Sequence, residues 1–305
     1  MKNSNSLPIV ENRYEFMVVF DVTNGNPNGD PDADNMARID PETGHGLVTD
    51  VCLKRKIRNY VEDVHGDKPG FGIYIKENVP LNRSDAEAIT AVTGDSTGKK
   101  IKELTKKDPE LGSKLRGWMC QNFFDIRTFG AVMTTFTKGD LKGVGGQVRG
   151  PVQIGFARSV EPISPMDVTI TRVAITTEAD AEKKNTEMGH KYIVPYGLYT
   201  CKGYISASFA EKTGFSEEDL GILWDAIANM FENDHSATRG EMCVRDLIIF
   251  KHDSKFGDAH SYEVFDTVKI ERVSDPTFPA RSYSDYSVTV DEESLPDSVH
   301  CSHWK

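Results

Sequence analysis

The densest group of side chains able to hold an anion is Lys54-Arg55-Lys56-x-Arg58, four cations within five positions. It lies shortly after Asn24-Gly25-Asn26-Pro27-Asn28-Gly29-Asp30, a cluster of turn-forming residues. Glycine lets a polyanion's backbone come close, and cations beside such a loop suit sequence-independent phosphate contacts. A charged helix face is more commonly just solvated, so it is the neighbouring loop that favours phosphate here.

Other constellations are weaker. Gly143-Val144-Gly145-Gly146-Gln147-Val148 lacks the last glycine of a dinucleotide fingerprint. Followed by Arg149, it reads equally as a flexible turn or as a close approach to phosphate. Arg127-Thr128-Phe129-Gly130-Ala131-Val132 keeps part of an RNA-recognition signature but lacks one glycine and the second aromatic. Gly94 to Lys100 resembles a phosphate loop, yet Thr93 stands where the first glycine belongs and Lys100 where Ser or Thr should follow the lysine. Asp30-x-Asp32-x-Asp34-Asn35 has Asn at the sixth position and Pro41 at the twelfth, which a calcium loop does not tolerate. His300, Cys301 and His303 have no second cluster with which to build a zinc site. A Gly-x-Ser-x-Gly elbow and an HExxH pair are both missing, so an enzyme reading starts behind.

The chain carries 36 Lys and Arg against 47 Asp and Glu, a net charge of −11. Residues 1–150 are balanced at 21 of each, whereas residues 151–305 hold 15 cations and 26 acids and account for the whole excess. A binding groove needs a local basic stripe rather than a basic protein, so the total excludes nothing. Five scattered cysteines, never spaced as CxxC, fit reduced thiols. The polar start and the lack of any long apolar run predict a cytoplasmic protein.

These residues need elements to position them. Alternation over Tyr14 to Val22, apolar on both faces, predicts a central strand. A helix capped by Thr49 or Asp50 should place Leu53, Ile57, Tyr60 and Val64 on one arc, and Lys54, Arg55 and Arg58 on another. A strand over Gly72 to Lys76 and a helical stretch over about Ser84 to Phe124 follow, with Asp108-Pro109 as a helix start. Strand-like runs cover Arg127 to Thr137, Val152 to Val160 and Lys191 to Phe209, and Met166 to Gly189 reads as a protruding hairpin. Ser216-x-x-Asp219 opens a second helix in the manner of a capping box, with Leu220, Leu223, Trp224, Ile227 and Phe231 inward. A strand over Met242 to Phe250 and a Ser-, Pro- and Asp-rich, loosely held tail complete the chain. The order predicts an α+β, ferredoxin-like or RRM-like βαββαβ core. Its segments are about 12–64, 70–78, 125–160 and 191–253, with a helical insertion at about 80–124, a hairpin at about 161–190 and a tail at about 276–305.

Several long segments resemble the RNA-binding backbone subunit of the type I-C CRISPR Cascade complex. They are Phe20 to Pro31, Arg38 to Thr43, Gly46 to Tyr60, Asp125 to Val132, Gly146 to Gly155 and Val194 to Tyr199. The resemblance extends to about Arg272 and implies a ferredoxin-like palm with helical finger elements and a β-hairpin thumb. It implies head-to-tail copies along a guide RNA, with thumbs flipping out bases at intervals and exposed guide segments pairing with target DNA. Large, small and repeat-processing subunits would be further partners. Carried over by position, Lys54, Arg55 and Arg58 would bind guide phosphates. Arg127, Gln147, Arg149 and Arg38 would assist, and Met166 would wedge the RNA. Members of the type I pattern bind without cutting, so neither enzyme activity nor a metal or other cofactor is expected. The alternative is a metal-dependent endoribonuclease, as in related type III subunits, using Asp30, Asp32, Asp34, Asp40 or Asp50 in or near the loop after the first strand.

Overall fold

The computed structural model describes residues 8–95, 108–133, 146–178 and 186–304. Within them the strands are β1 (Tyr14–Gly25), β2 (Gly29–Asp30), β3 (Met36–Ala37), β4 (His45–Val48), β5 (Gly130–Val132), β6 (Gln147–Arg149), β7 (Val152–Ile154), β8 (Ala157–Pro162), β9 (Met166–Arg172), β10 (Glu187–Ile205), β11 (Glu241–His252), β12 (Val268–Arg272), β13 (Tyr286–Val290) and β14 (Val299–His303). The helices that matter here are α1 (Asp50–His65), α2 (Leu81–Thr93), α3 (Leu111–Asn122), α4 (Phe124–Phe129), α5 (Ala207–Thr213), α6 (Glu217–Asn229) and α7 (Ser261–Asp266).

β1 is the central strand its two-sided apolar pattern predicts. Phe16, Val18, Phe20 and Val22 pack with α1 and α6, while Met17 and Val19 pack on the opposite face with Ile248, Phe250, Phe265 and Tyr286. Antiparallel partners flank it, with Val18 opposite Cys201 of β10 and Leu247 of β11. The full sheet runs β14-β11-β1-β10-β8-β4, and β7 and β9 also pair with β10. Numbered along the chain, β1, β8, β10 and β11 stand in the order 4-1-3-2 with α1 and α6 in the two crossovers. This is a mixed α+β fold around a central antiparallel sheet.

α6 begins as its sequence predicts. Ser216 Oγ accepts the N–H of Asp219 at 3.2 Å, and Asp219 Oδ2 accepts the N–H of Ser216 at 2.9 Å. The five apolar residues from Leu220 to Phe231 expected inward are buried. α2 and α3 enclose a separate core around Tyr74, Leu115, Met119 and Phe123. The hairpin is formed by β9 and the first part of β10, from Met166 opposite Ile193 to Arg172 opposite Glu187. Its tip lies outside the described residues, as do parts of the Gly143 and Gly94 segments.

Four expectations need correction. Gly72 to Lys76 is not a strand: the N–H groups of Tyr74 and Ile75 donate to the Asp125 carboxylate at 2.8 and 3.1 Å, so a side chain replaces a sheet neighbour. Arg127 stands on helix α4, not on a strand, because buried partners on both sides of the segment override its β-branched and aromatic composition. Phe209 belongs to α5, after β10 has ended. The C-terminal segment is not a loose tail. β13 pairs with β12, and β14 extends the main sheet by pairing His300 to Lys251 and Ser302 to Ile249.

Candidate nucleic-acid interface

The loop after β1 folds against the start of α1. Asn28 Oδ1 accepts both the N–H and the hydroxyl of Thr49 at 3.0 Å, and Thr49 Oγ1 in turn accepts the Cys52 N–H at 3.3 Å. Thr49 is thus the cap, held by the loop it follows. Gly25 is required by close approach: a Cβ there would sit 1.8 Å from the Arg239 carbonyl oxygen. The Asn26 N–H donates to the Thr238 carbonyl at 2.8 Å, which fastens the loop to the segment between α6 and β11. The three pieces surround a groove of 580 Å³ lined by Asn26 to Gly29, Arg55, Lys56, Asn59 and Arg239 among others. Asn26 is buried there, with its side-chain NH2 fixed on the Asn35 carbonyl and its Oδ1 lacking a partner among the described residues.

The cationic helix divides its charges. Arg55 points outward and pairs with exposed Glu77. Lys56 is buried at the groove wall on Asp234, whose carboxylate also holds Arg239 at 2.5 Å. Lys54 pairs with Asp50 at 2.9 Å, and its ammonium lies 5.8 Å from the centre of the Phe129 ring. Arg58 shares that ring at 5.3 Å, so the two do fall on one face, but that face turns inward. Arg58 Nε donates to buried Asp125 at 2.9 Å. Val61 replaces Val64 in the buried arc, and Val64 is exposed.

Arg127 is also interior. Its Nε and Nη2 donate to Asp219 Oδ1 at 3.0 and 2.7 Å, joining α4 to the capped start of α6. The Phe71 and Phe124 rings flank its guanidinium at 4.9 and 5.4 Å. Arg38 pairs with Asp30 at 3.3 Å. Gln147 and Arg149 are exposed on β6, which pairs with β5 so that Arg149 stands opposite Gly130. Gly130 has φ +80°, and a Cβ on it would meet the Val148 carbonyl at 2.3 Å. Met166, half-exposed, starts β9 at the base of the hairpin.

Of the cations singled out from sequence, Arg149 differs from the rest: among the described residues no carboxylate pairs with it. Phe129 links the two regions, since Lys54 and Arg58 lie over its ring and Gly130 follows it on β5. Sequence reasoning missed Arg239, an isolated cation in the loop before β11. It also missed Phe209 and Lys212 of α5, whose Phe-x-x-Lys-Thr-Gly run signals only a helix end.

Four of the five candidate loop carboxylates have partners of their own. Asp34 accepts the Tyr192 hydroxyl at 2.9 Å, and Asp40 accepts the Thr43 hydroxyl at 2.7 Å and Arg158 at 2.6 Å. Those two hydrogen bonds and the backbone N–H of Glu42 lower the Asp40 pKa to about 2. Asp30 is taken by Arg38 and Asp50 by Lys54. His300 and His303 pair with Asp253 and Asp246. Among the described residues, no three His, Cys, Asp or Glu side chains gather as metal ligands would. No described helix is long and apolar enough to cross a membrane.

A curated relative from Haloferax volcanii, the CRISPR-associated protein Cas7, is 28% identical over 234 residues, which is 72% of this chain. The chain spans about 65% of that relative's length. Among solved structures, a chain of a pre-nicking CRISPR RNA-guided surveillance complex aligns over 78% of both chains with a TM-score of 0.48 at 14% identity. A type III-B Cmr-beta complex bound to cognate target RNA gives a TM-score of 0.41 at 9% identity, covering 78% of this chain and 61% of its own. The family model described as CRISPR-associated protein Cas7 matches residues 12–291, from just before β1 to just past β13. The chain belongs to the CRISPR-associated Cas7 family.

Proposed function

We propose that this chain is the non-catalytic backbone subunit of a type I-C Cascade complex, polymerising head-to-tail along guide RNA and holding its sugar-phosphate backbone for pairing with target DNA. The observation that carries this reading is the groove between the Asn24–Asp30 loop, the start of α1 and Arg239. There a Gly- and Asn-rich backbone comes together with Arg55, Lys56, Arg239 and the N-terminal end of a 16-residue helix. Such a site reads charge and backbone shape, leaving sequence to base pairing. The type I-C assignment is supported by the long motifs from Phe20 to Tyr60 and from Gly146 to Gly155.

Within this reading Arg55, Arg149 and Gln147 face the RNA directly, and Lys54 and Arg38 do so by exchanging a carboxylate for a phosphate. Arg58 and Arg127 hold the surface from beneath through their buried carboxylates. The β9–β10 hairpin is the thumb, with Met166 near its root, and α2 and α3 belong to the finger elements. Large, small and repeat-processing subunits complete the assembly.

Co-expression with those subunits and a repeat-spacer transcript tests the reading. Intact guide RNA carrying several copies of this chain is expected. Recovery without RNA would leave only a protein scaffold. RNA cut at regular intervals in a magnesium-dependent way, and protected by Asp→Ala changes in the loop, would replace the reading with a nuclease.

A further inference from the structure

A second cavity, of 510 Å³, lies between α3, β6 and α5. Three cations from three different elements line it: Arg116 of α3, Arg149 of β6 and Lys212 of α5. Gln121, Gln147 and Ser113 add neutral donors and acceptors, and among the described residues no Asp or Glu takes part in the lining. In a chain of net charge −11 that exclusion is informative, because elsewhere the candidate cations meet carboxylates. Neither Arg149 nor Lys212 forms an ion pair among the described residues. Both rest instead over the half-buried Phe209 ring, Arg149 at 4.5 Å and Lys212 at 5.3 Å from its centre. Thr213, only 6% exposed, lines the same cavity with a hydroxyl that has no hydrogen-bond partner among the described residues.

A cation over an aromatic ring, without an anion, is a pair that a nucleotide can replace on both sides. The phosphate takes the guanidinium and ammonium, and the base takes the ring face. Amide side chains at the rim can meet base edges without selecting one base, since each offers both a donor and an acceptor. We infer that this cavity is a nucleotide site in which Phe209 stacks one guide nucleobase while Arg149 and Lys212 hold the adjoining phosphates. The inference rests on the guide-RNA reading and extends it to residues outside the resembling motifs. It is a site apart from the hairpin, none of whose described residues line it.

The test is a complex assembled on guide RNA with 5-iodouridine in place of uridine, irradiated and mapped by peptide mass spectrometry. A crosslink at Phe209 is expected. Phe209→Leu should abolish it and weaken guide binding by about tenfold, the loss of one base stack, whereas Phe209→Tyr should keep both. Arg149→Gln and Lys212→Gln should each lower the salt slope of binding by roughly one phosphate contact. Guide RNA retained with crosslinks elsewhere and none at Phe209, or Phe209→Leu binding as tightly as the parent with an unchanged melting temperature, overturns the stacking site alone. A complex that carries no guide overturns it together with the function on which it rests.

Discussion

At the scale of single residues, charge pattern and charge use diverge. Lys54-Arg55-Lys56-x-Arg58 is a cationic run in the sequence, but its members have different fates. Arg58 is bound to Asp125 inside the protein, and Arg127 to Asp219. Removing one partner of a buried pair leaves an uncompensated charge, so Arg58→Ala and Arg127→Ala should each cost about 3–5 kcal/mol of stability. Arg149→Ala, on an exposed strand, should stay within about 0.5 kcal/mol yet weaken RNA binding. Urea titrations beside binding isotherms would separate the two groups. Loss of RNA binding by Arg58→Ala with unchanged stability would show that it touches the RNA itself. The spacing along α1 put Lys54, Arg55 and Arg58 on one face; Lys54 and Arg58 do share one, but Arg55 points outward from it. It could not show that Asp125, 67 positions away, would claim that face. Long-range ion pairs have no local signature, and for that reason the candidate site was less legible than the helix that carries it.

At the scale of elements, local signals that carry their own partner within a few residues read well. The Ser216–Asp219 box is reciprocal within four residues, and α6 starts there. Thr49 caps α1, but Asn28 of the loop is also bound to it. Thr49→Ala should therefore cost about 1 kcal/mol or somewhat more, and Thr49→Ser much less, as thermal unfolding would register. Equal losses would mean that the methyl group, not the hydroxyl, holds the loop. The strand wrongly expected over Gly72 to Lys76 failed for the opposite reason, since its amide donors are satisfied by a carboxylate remote in sequence. The hairpin was legible from its β-branched, polar alternation. Residues 187–193 of β10 pair with β9, while Val194 to Ile205 hold β1. Replacing residues 166–193 by a short turn should leave cooperative unfolding intact and reduce the number of copies packed on one guide, as native mass spectrometry would count. An unchanged copy number would remove the hairpin from the proposed assembly role.

At the scale of the molecule, the sheet joins the two ends of the chain, and a buried acid marks the junction. Glu15 of β1 and His252 of β11 are fully enclosed. His252 Nδ1 accepts the Asp258 N–H at 2.8 Å, so Nε2 carries the proton and donates to Glu15 Oε2 at 2.5 Å. Burial alone would raise the Glu15 pKa, but the hydrogen bonds from His252 and Ser261, together with the charge of Arg13, outweigh it and hold the carboxyl below its ordinary value of 4.5. A carboxyl with a depressed folded-state pKa stabilises fully above its unfolded value and loses that contribution as the pH falls through the folded value. Urea midpoints should therefore decline below pH 4.5 more steeply in the parent than in Glu15→Gln, which starts lower. Parallel curves would assign acid sensitivity to other carboxylates. The balanced first half and acidic second half were evident from composition, while the sheet's incorporation of the C-terminal strand was not. β14 is short and polar, and only its pairing with β11 reveals it.

The central claim is that cations and close backbone, rather than contacts that select particular bases, hold a guide. The most direct measurement is guide affinity against salt for two guides of unrelated sequence, with the parent and with Arg55→Gln/Arg149→Gln. Both guides should fall on one line of log affinity against log salt, dropping by roughly 0.7 in slope per phosphate contact, and the double variant should flatten it for both alike. A salt-independent affinity, or affinities that follow guide sequence and ignore the double variant, would contradict it.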